Sequence, residues 1–125
     1  MKILVVEPEK TPYEKEIDDS LEAMQEIVGG YIEAIYPFED LEVALVCNEE
    51  GKIENLPLNR ALYSFESRGE IIDIVAGTFF ICSAPSDSGK FESLTDAQID
   101  WYKAMFYPPE EFYLKSDNSI GVRWL

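Results

Sequence analysis

The stretch Glu70-Ile71-Ile72-Asp73-Ile74-Val75-Ala76-Gly77-Thr78-Phe79-Phe80-Ile81-Cys82 decides the fold class. It holds two apolar runs of strand length, 70–75 and 78–82, joined at Ala76-Gly77. β-Branched and aromatic residues dominate both, as pleated, half-buried surfaces favour. No helix separates them, so the chain lacks the strict strand–helix alternation of a doubly wound parallel sheet.

Working toward the N-terminus, residues 31–36 and 42–47 read as two more strands, with a turn around Asp40. Residues 3–6 form a continuous apolar run, which suits a strand buried on both faces. Pro8 and Pro12 forbid a regular helix before Tyr13, and 13–17 is a short second strand. Residues 19–28 read as a helix. Leu21, Met24, Ile27 and Val28 make its apolar face, Asp19 and Glu22 suggest a capping box, and Gly29-Gly30 end it. Asn48-Glu49-Glu50-Gly51 followed by Lys52-Ile53 has the spacing of a hairpin with a glycine bulge. Residues 56–62 look irregular and 63–69 look like a polar connector.

Toward the C-terminus, 83–89 is a loop rich in Ser, Gly and Pro. Thr95 and Gln98 cap a second helix that runs to Phe106, with Ile99, Tyr102 and Phe106 on one face. Pro108-Pro109 stops it. Residues 112–114 and 120–124 pair as a terminal hairpin. The fold expected is α+β: a mostly antiparallel or mixed sheet of about six strands, with two helices on one face. At 125 residues this is a single domain, 1–125.

Several functions are closed off. There is no histidine, which removes the usual ligand of zinc sites and the base of Ser-His and Cys-His nucleophiles. Cys47 and Cys82 lie in apolar runs and read as reduced thiols packed in strands, with a bridge between adjacent strands as the alternative. Ser86-Asp87-Ser88-Gly89-Lys90 lacks the rest of a phosphate-binding loop and reads as a solvated turn. The apolar run at the N-terminus is too short for a leader or a membrane span, so a cytoplasmic location is expected. Twenty-five carboxylates against ten Lys and Arg give a net charge of −15. That charge argues against direct nucleic-acid or membrane binding, both of which rest on basic patches. No cofactor is implied.

The strings Ser20-Leu21-Glu22-Ala23-Met24-Gln25-Glu26-Ile27-Val28-Gly29-Gly30-Tyr31-Ile32-Glu33, Cys47-Asn48-Glu49-Glu50-Gly51-Lys52, Leu56-Pro57-Leu58-Asn59-Arg60-Ala61-Leu62 and Ile74-Val75-Ala76-Gly77-Thr78-Phe79-Phe80-Ile81 together resemble the DUF3846 family over residues 1–106. The family consists of uncharacterised proteins of Firmicutes, their phages and mobile elements. The resemblance implies a bacterial or phage protein and transfers no catalytic residue. Residues 107–125 fall outside it, as a C-terminal extension.

The candidate binding residues are Asn59, Arg60, Asp73 and Thr78. A fixed Arg60 guanidinium suits a carboxylate or phosphate held by two parallel hydrogen bonds. Its plain alternative is an internal ion pair with Asp73 or a helix carboxylate, with Asn59 capping a turn. Asp73 sits among isoleucines, where burial would raise its pKa, or edges onto solvent. Asp18, Asp19 and Glu22 have oxygen ligands for a divalent ion, but acidic residues also suit a helix start for its dipole. Trp101, Tyr102, Phe106, Tyr107, Phe112, Tyr113 and Trp124 crowd the last quarter, either as a small second core or as an exposed patch for a protein partner.

The function these residues suggest is a non-catalytic module that binds another protein. Two alternatives stand beside it. One is an acidic DNA mimic that inhibits a restriction or other DNA-binding enzyme. A globule of this size spans about 35 Å, and duplex DNA of that length carries roughly 20 charges. However, the charge leans toward residues 1–60 without forming a block. The other alternative is an enzyme using carboxylates and a divalent ion.

Overall fold

The computed structural model describes residues 1–64, 66 and 69–125. Among them run nine strands and two helices: β1 (Lys2–Val6), β2 (Tyr13–Glu16), α1 (Leu21–Val28), β3 (Ile32–Ile35), β4 (Val43–Asn48), β5 (Leu58–Tyr63), β6 (Ile71–Ala76), β7 (Phe79–Ser83), α2 (Asp96–Met105), β8 (Glu110–Leu114) and β9 (Ile120–Trp124). Five strands form a central sheet in the order β2-β1-β7-β4-β3, and every pair in it is antiparallel. β5 pairs with β6 and β8 with β9, each as a separate antiparallel ribbon. The α+β class with a mostly antiparallel sheet holds.

The sheet is buried on both faces because β1, β4 and β7 are apolar at consecutive positions. Successive side chains in a strand point to opposite faces, so such runs must be covered twice. One face carries Leu4, Val6, Val43, Leu45, Phe79 and Ile81, packed under Leu62 and Val75 of the β5–β6 ribbon and Ile99, Tyr102 and Phe106 of α2. The other carries Ile3, Val5, Ala44, Val46, Phe80 and Cys82 against Met24 and Val28 of α1. The two helices therefore sit on opposite faces, not on one as the sequence led us to expect. The same alternation separates the thiols. Cys47 lies in the first cluster and Cys82 in the second, so they stand on adjacent strands but face away from each other and are free.

Three local expectations need correction. The cap of α1 is Ser20, not Asp19: its Oγ accepts from the Ala23 N–H at 3.1 Å. Glu22 occupies the first turn, where the helix dipole favours an anion. Residues 58–63 form a strand, although Asn59 and Arg60 interrupt the apolar pattern that would have marked it. No hairpin joins β4 to residues 52–53. β3 and β7 already occupy both edges of β4, and the chain instead coils through turns, with Leu56 N–H donating to the Gly51 carbonyl at 2.9 Å. Thr95 and Gln98 do form the capping box of α2, with reciprocal hydrogen bonds of 3.1 and 2.8 Å. Of the connector expected over 63–69, residues 65, 67 and 68 lie outside the described residues.

Candidate functional site

Two residues that the sequence singles out, Asn59 and Arg60, form a buried polar network next to the site. Both are fully buried. The Asn59 amide donates to the carbonyls of Val6 at 2.8 Å and Gly77 at 2.9 Å, which ties β5 to the ends of β1 and β6. Its Oδ1 accepts from Arg60 Nη1 at 2.8 Å. Arg60 spends its remaining donors on backbone oxygens. Nε and Nη2 reach the Phe106 carbonyl at 3.2 and 3.0 Å, Nη2 reaches that of Lys10 at 2.6 Å, and Nη1 that of Asn59 at 3.2 Å. Burial lowers the guanidinium pKa, and the charge of Glu110 opposes that shift.

Glu110 joins this network from β8. It is buried, and its Oε1 accepts from the Ala61 N–H at 3.0 Å. Burial raises its pKa, while the Ala61 hydrogen bond and the Arg60 charge hold it down. Arg60 therefore makes no ion pair with Asp73. Asp73 instead accepts from Lys52 Nζ at 2.5 Å on the half-exposed side of β6.

Above Glu110 opens a groove of about 410 Å³. Ala61, Leu62 and Tyr63 of β5 form one wall, Phe38 and the end of α2 (Ala104, Met105, Phe106) the floor, and Trp124 of β9 the other wall. Tyr102 and Phe106 are core residues, with the Phe38 ring tilted against Tyr102 at 4.7 Å and Phe79 edge-on to Phe106 at 5.4 Å. Trp101, Tyr107 and Trp124 are more than 60% exposed. The aromatic-rich tail thus divides, part of it core and part of it surface.

Thr78 follows Gly77, whose carbonyl the Asn59 amide holds, while Asp73 bonds Lys52 instead of Arg60. Asp73 faces a small cleft lined by Glu33, Cys47 and Lys52. Burial pushes the Cys47 thiol up to about 11, so it is a poor nucleophile at neutral pH. Thr78 lines a cleft on the α1 side, among Glu7, Glu16, Asp18 and Glu26. Asp18, Asp19 and Glu22 are exposed. Among the described residues no three Asp, Glu or Cys side chains are grouped to hold a metal ion. No helix there is long and apolar enough to cross a membrane.

Sequence reasoning missed Glu110. It lies between Pro108-Pro109, which stop the helix, and the strand expected from Phe112. The available signal is alternation: positions 110, 112 and 114 share a strand face with Phe112 and Leu114.

Fold and site together define a small acidic α+β domain, apolar on both faces of its sheet, with an aromatic-walled groove beside a buried polar network. The chain belongs to the DUF3846 family, a domain of unknown function, whose model matches residues 1–107. No curated protein and no solved structure matches it. Glu110 and Trp124 lie beyond the matched segment.

Proposed function

We propose that the domain is a non-catalytic protein-interaction module of a bacterium, phage or mobile element, working in the cytoplasm, and that its partner docks in the groove between β5, α2 and β9. The observation that carries this reading is the groove itself. Its walls are apolar and aromatic, Trp124 stands 65% exposed on its rim, and Met105 47%. Exposed Trp, Tyr and Met around a polar anchor are the composition of a docking surface. Arg60 enters this reading as the support under Glu110 rather than as a contact, since its donors are occupied.

A second reading, the DNA mimic, draws on the cleft where Glu7, Glu16, Asp18 and Glu26 gather. One experiment separates the two. Wild type and Trp124→Ala are immobilised, nuclease-treated lysate is passed over both, and bound proteins are eluted with salt. A protein retained at high salt by wild type and lost by Trp124→Ala supports the groove. Basic proteins leaving both columns at moderate salt, and displaced by duplex DNA but not by a charge-matched acidic protein, support mimicry. Identical high-salt profiles from both columns overturn the groove.

A further inference from the structure

The two edges of the central sheet are not alike. Both edge strands, β2 and β3, are four residues long, so length does not separate them. β2 follows Pro12 and reads Tyr-Glu-Lys-Glu, with every position exposed. Proline and charge of this kind blunt an edge against further pairing. β3 reads Ile-Glu-Ala-Ile, with no proline or lysine in it and no break in its register with β4. Glu33 is exposed, and Ile32, Ala34 and Ile35 are half-buried. Exposed tyrosines, Tyr31 and Tyr36, stand at its two ends.

One bond fixes which backbone groups of β3 turn outward. The Glu49 N–H donates to the Tyr31 carbonyl at 2.9 Å. The register continues from this pair to Glu33 opposite Cys47 and Ile35 opposite Leu45. In an antiparallel ladder, hydrogen-bonded pairs alternate with pairs whose backbone groups turn away from each other. Ile32 and Ala34 therefore turn their N–H and C=O groups away from β4. Among the described residues no group bonds them and no strand lies beyond β3.

The cleft between β3 and β6 gives this edge a charge. Glu33, Glu49 and Asp73 line it with one ammonium, that of Lys52, which Asp73 already holds. Glu33 makes no ion pair among the described residues. A second copy of this chain suits the edge poorly. Pairing Ile32 of one copy with Ala34 of the other sets the two Glu33 side chains directly opposite, and like charges so placed destabilise a sheet. The net charge of −15 adds to that repulsion. An opposite charge across from Glu33 stabilises instead.

We infer that β3 takes up an extended segment of another protein as a sixth, antiparallel strand of the central sheet, with Lys or Arg opposite Glu33. Side chains alternate along a strand, so the residue two places before the basic one lies on the same face, opposite Ile35. The recognised pattern is apolar-x-Lys/Arg. Main-chain bonds to Ile32 and Ala34 supply affinity, and the side chains supply specificity. Ile32, Glu33 and Ala34 do not line the groove beside Trp124, so this inference is independent of that docking surface.

The test selects a displayed library of random twelve-residue peptides on the full chain and measures the enriched peptides by fluorescence polarisation. Peptides of the stated pattern are expected, with binding unchanged by Trp124→Ala. Glu33→Lys weakens them by about fivefold or more, and exchanging the peptide's basic residue for Glu restores binding to that variant. The restored binding also shows that the variant is folded. N-Methylation of alternate peptide nitrogens weakens binding about tenfold in one register and hardly in the other. Peptides that ignore Glu33→Lys, or that tolerate both N-methylation registers, overturn the inference. So does a library that yields no peptide, or only peptides lost with Trp124→Ala, and the latter leave the groove standing. A dimer in sedimentation that Ala34→Pro dissociates overturns it too, because a second copy then holds the edge.

Discussion

Arg60 shows how a single residue is fixed by what its neighbours need. Its guanidinium satisfies the carbonyls of Lys10, Asn59 and Phe106, which come from three separate parts of the chain. Removing it strands those oxygens and leaves Glu110 without its counter-charge. Breaking a buried charged set by removing one partner destabilises by about 3–5 kcal/mol. Arg60→Ala is therefore expected to lower the urea midpoint by that equivalent, and an unchanged midpoint would refute the network. Glu110 gives a second test at this scale. Burial raises its pKa above the ordinary 4.5. The folded chain keeps this proton at pH values where the unfolded chain has lost it. The stability it contributes is complete below about pH 4.5 and declines as pH rises through the folded-state value. Exposed carboxylates such as Asp96, whose pKa its bond to Lys2 lowers, act in the opposite sense. The difference between wild type and Glu110→Gln isolates Glu110. The variant's midpoint should fall less on raising the pH above 4.5, and parallel curves would sink this assignment.

At the scale of elements, legibility followed periodicity. The runs at β1, β4 and β7, the α2 capping box and the terminal hairpin are visible because side-chain pattern and turn chemistry agree there. β5 is not, because the carbonyls of Val6, Lys10 and Phe106 that satisfy its two buried polar residues lie more than 40 residues away. No local window contains those partners. The turn after β4 failed for a related reason: the glycine at its end is not the bulge of a hairpin. A Cβ on Gly51 would lie 2.6 Å from the Ala76 carbonyl oxygen. The glycine is there because another strand's backbone passes close by. Gly51→Ala must push β6 away, at a cost of about 1–3 kcal/mol, as overpacking usually does. Thermal melting checks it, and a wild-type midpoint would mean that the turn relaxes freely.

For the whole molecule, the question is whether residues 108–125 are an appendage. The family model stops at 107, yet the last eighteen residues supply the acceptor for Ala61, the counter-charge for Arg60 and one wall of the groove. A chain ending at Tyr107 should melt earlier than the full protein and expose apolar surface to a hydrophobic dye. Equal melting and no dye binding would show the hairpin to be dispensable. The face of the candidate site was half visible in the sequence. Asn59 and Arg60 stood out as polar residues in an apolar setting, whereas the groove exists only once α2 and β9 meet β5.

The place of β7 in the sheet has a consequence for how the protein is made. β1 and β2 form one local ribbon and β3 and β4 another, and β7 is the strand inserted between them. As the chain leaves the ribosome, both ribbons emerge before the strand that unites them. Thirty residues separate the end of β4 at Asn48 from the start of β7 at Phe79. At 5–20 residues per second that interval lasts roughly 2–6 s. Throughout it, β1 and β4 each hold an unpaired, apolar edge open to other nascent chains. The stretch Phe79–Ser83 closes both edges at once, and its arrival ends the interval in which they stand open.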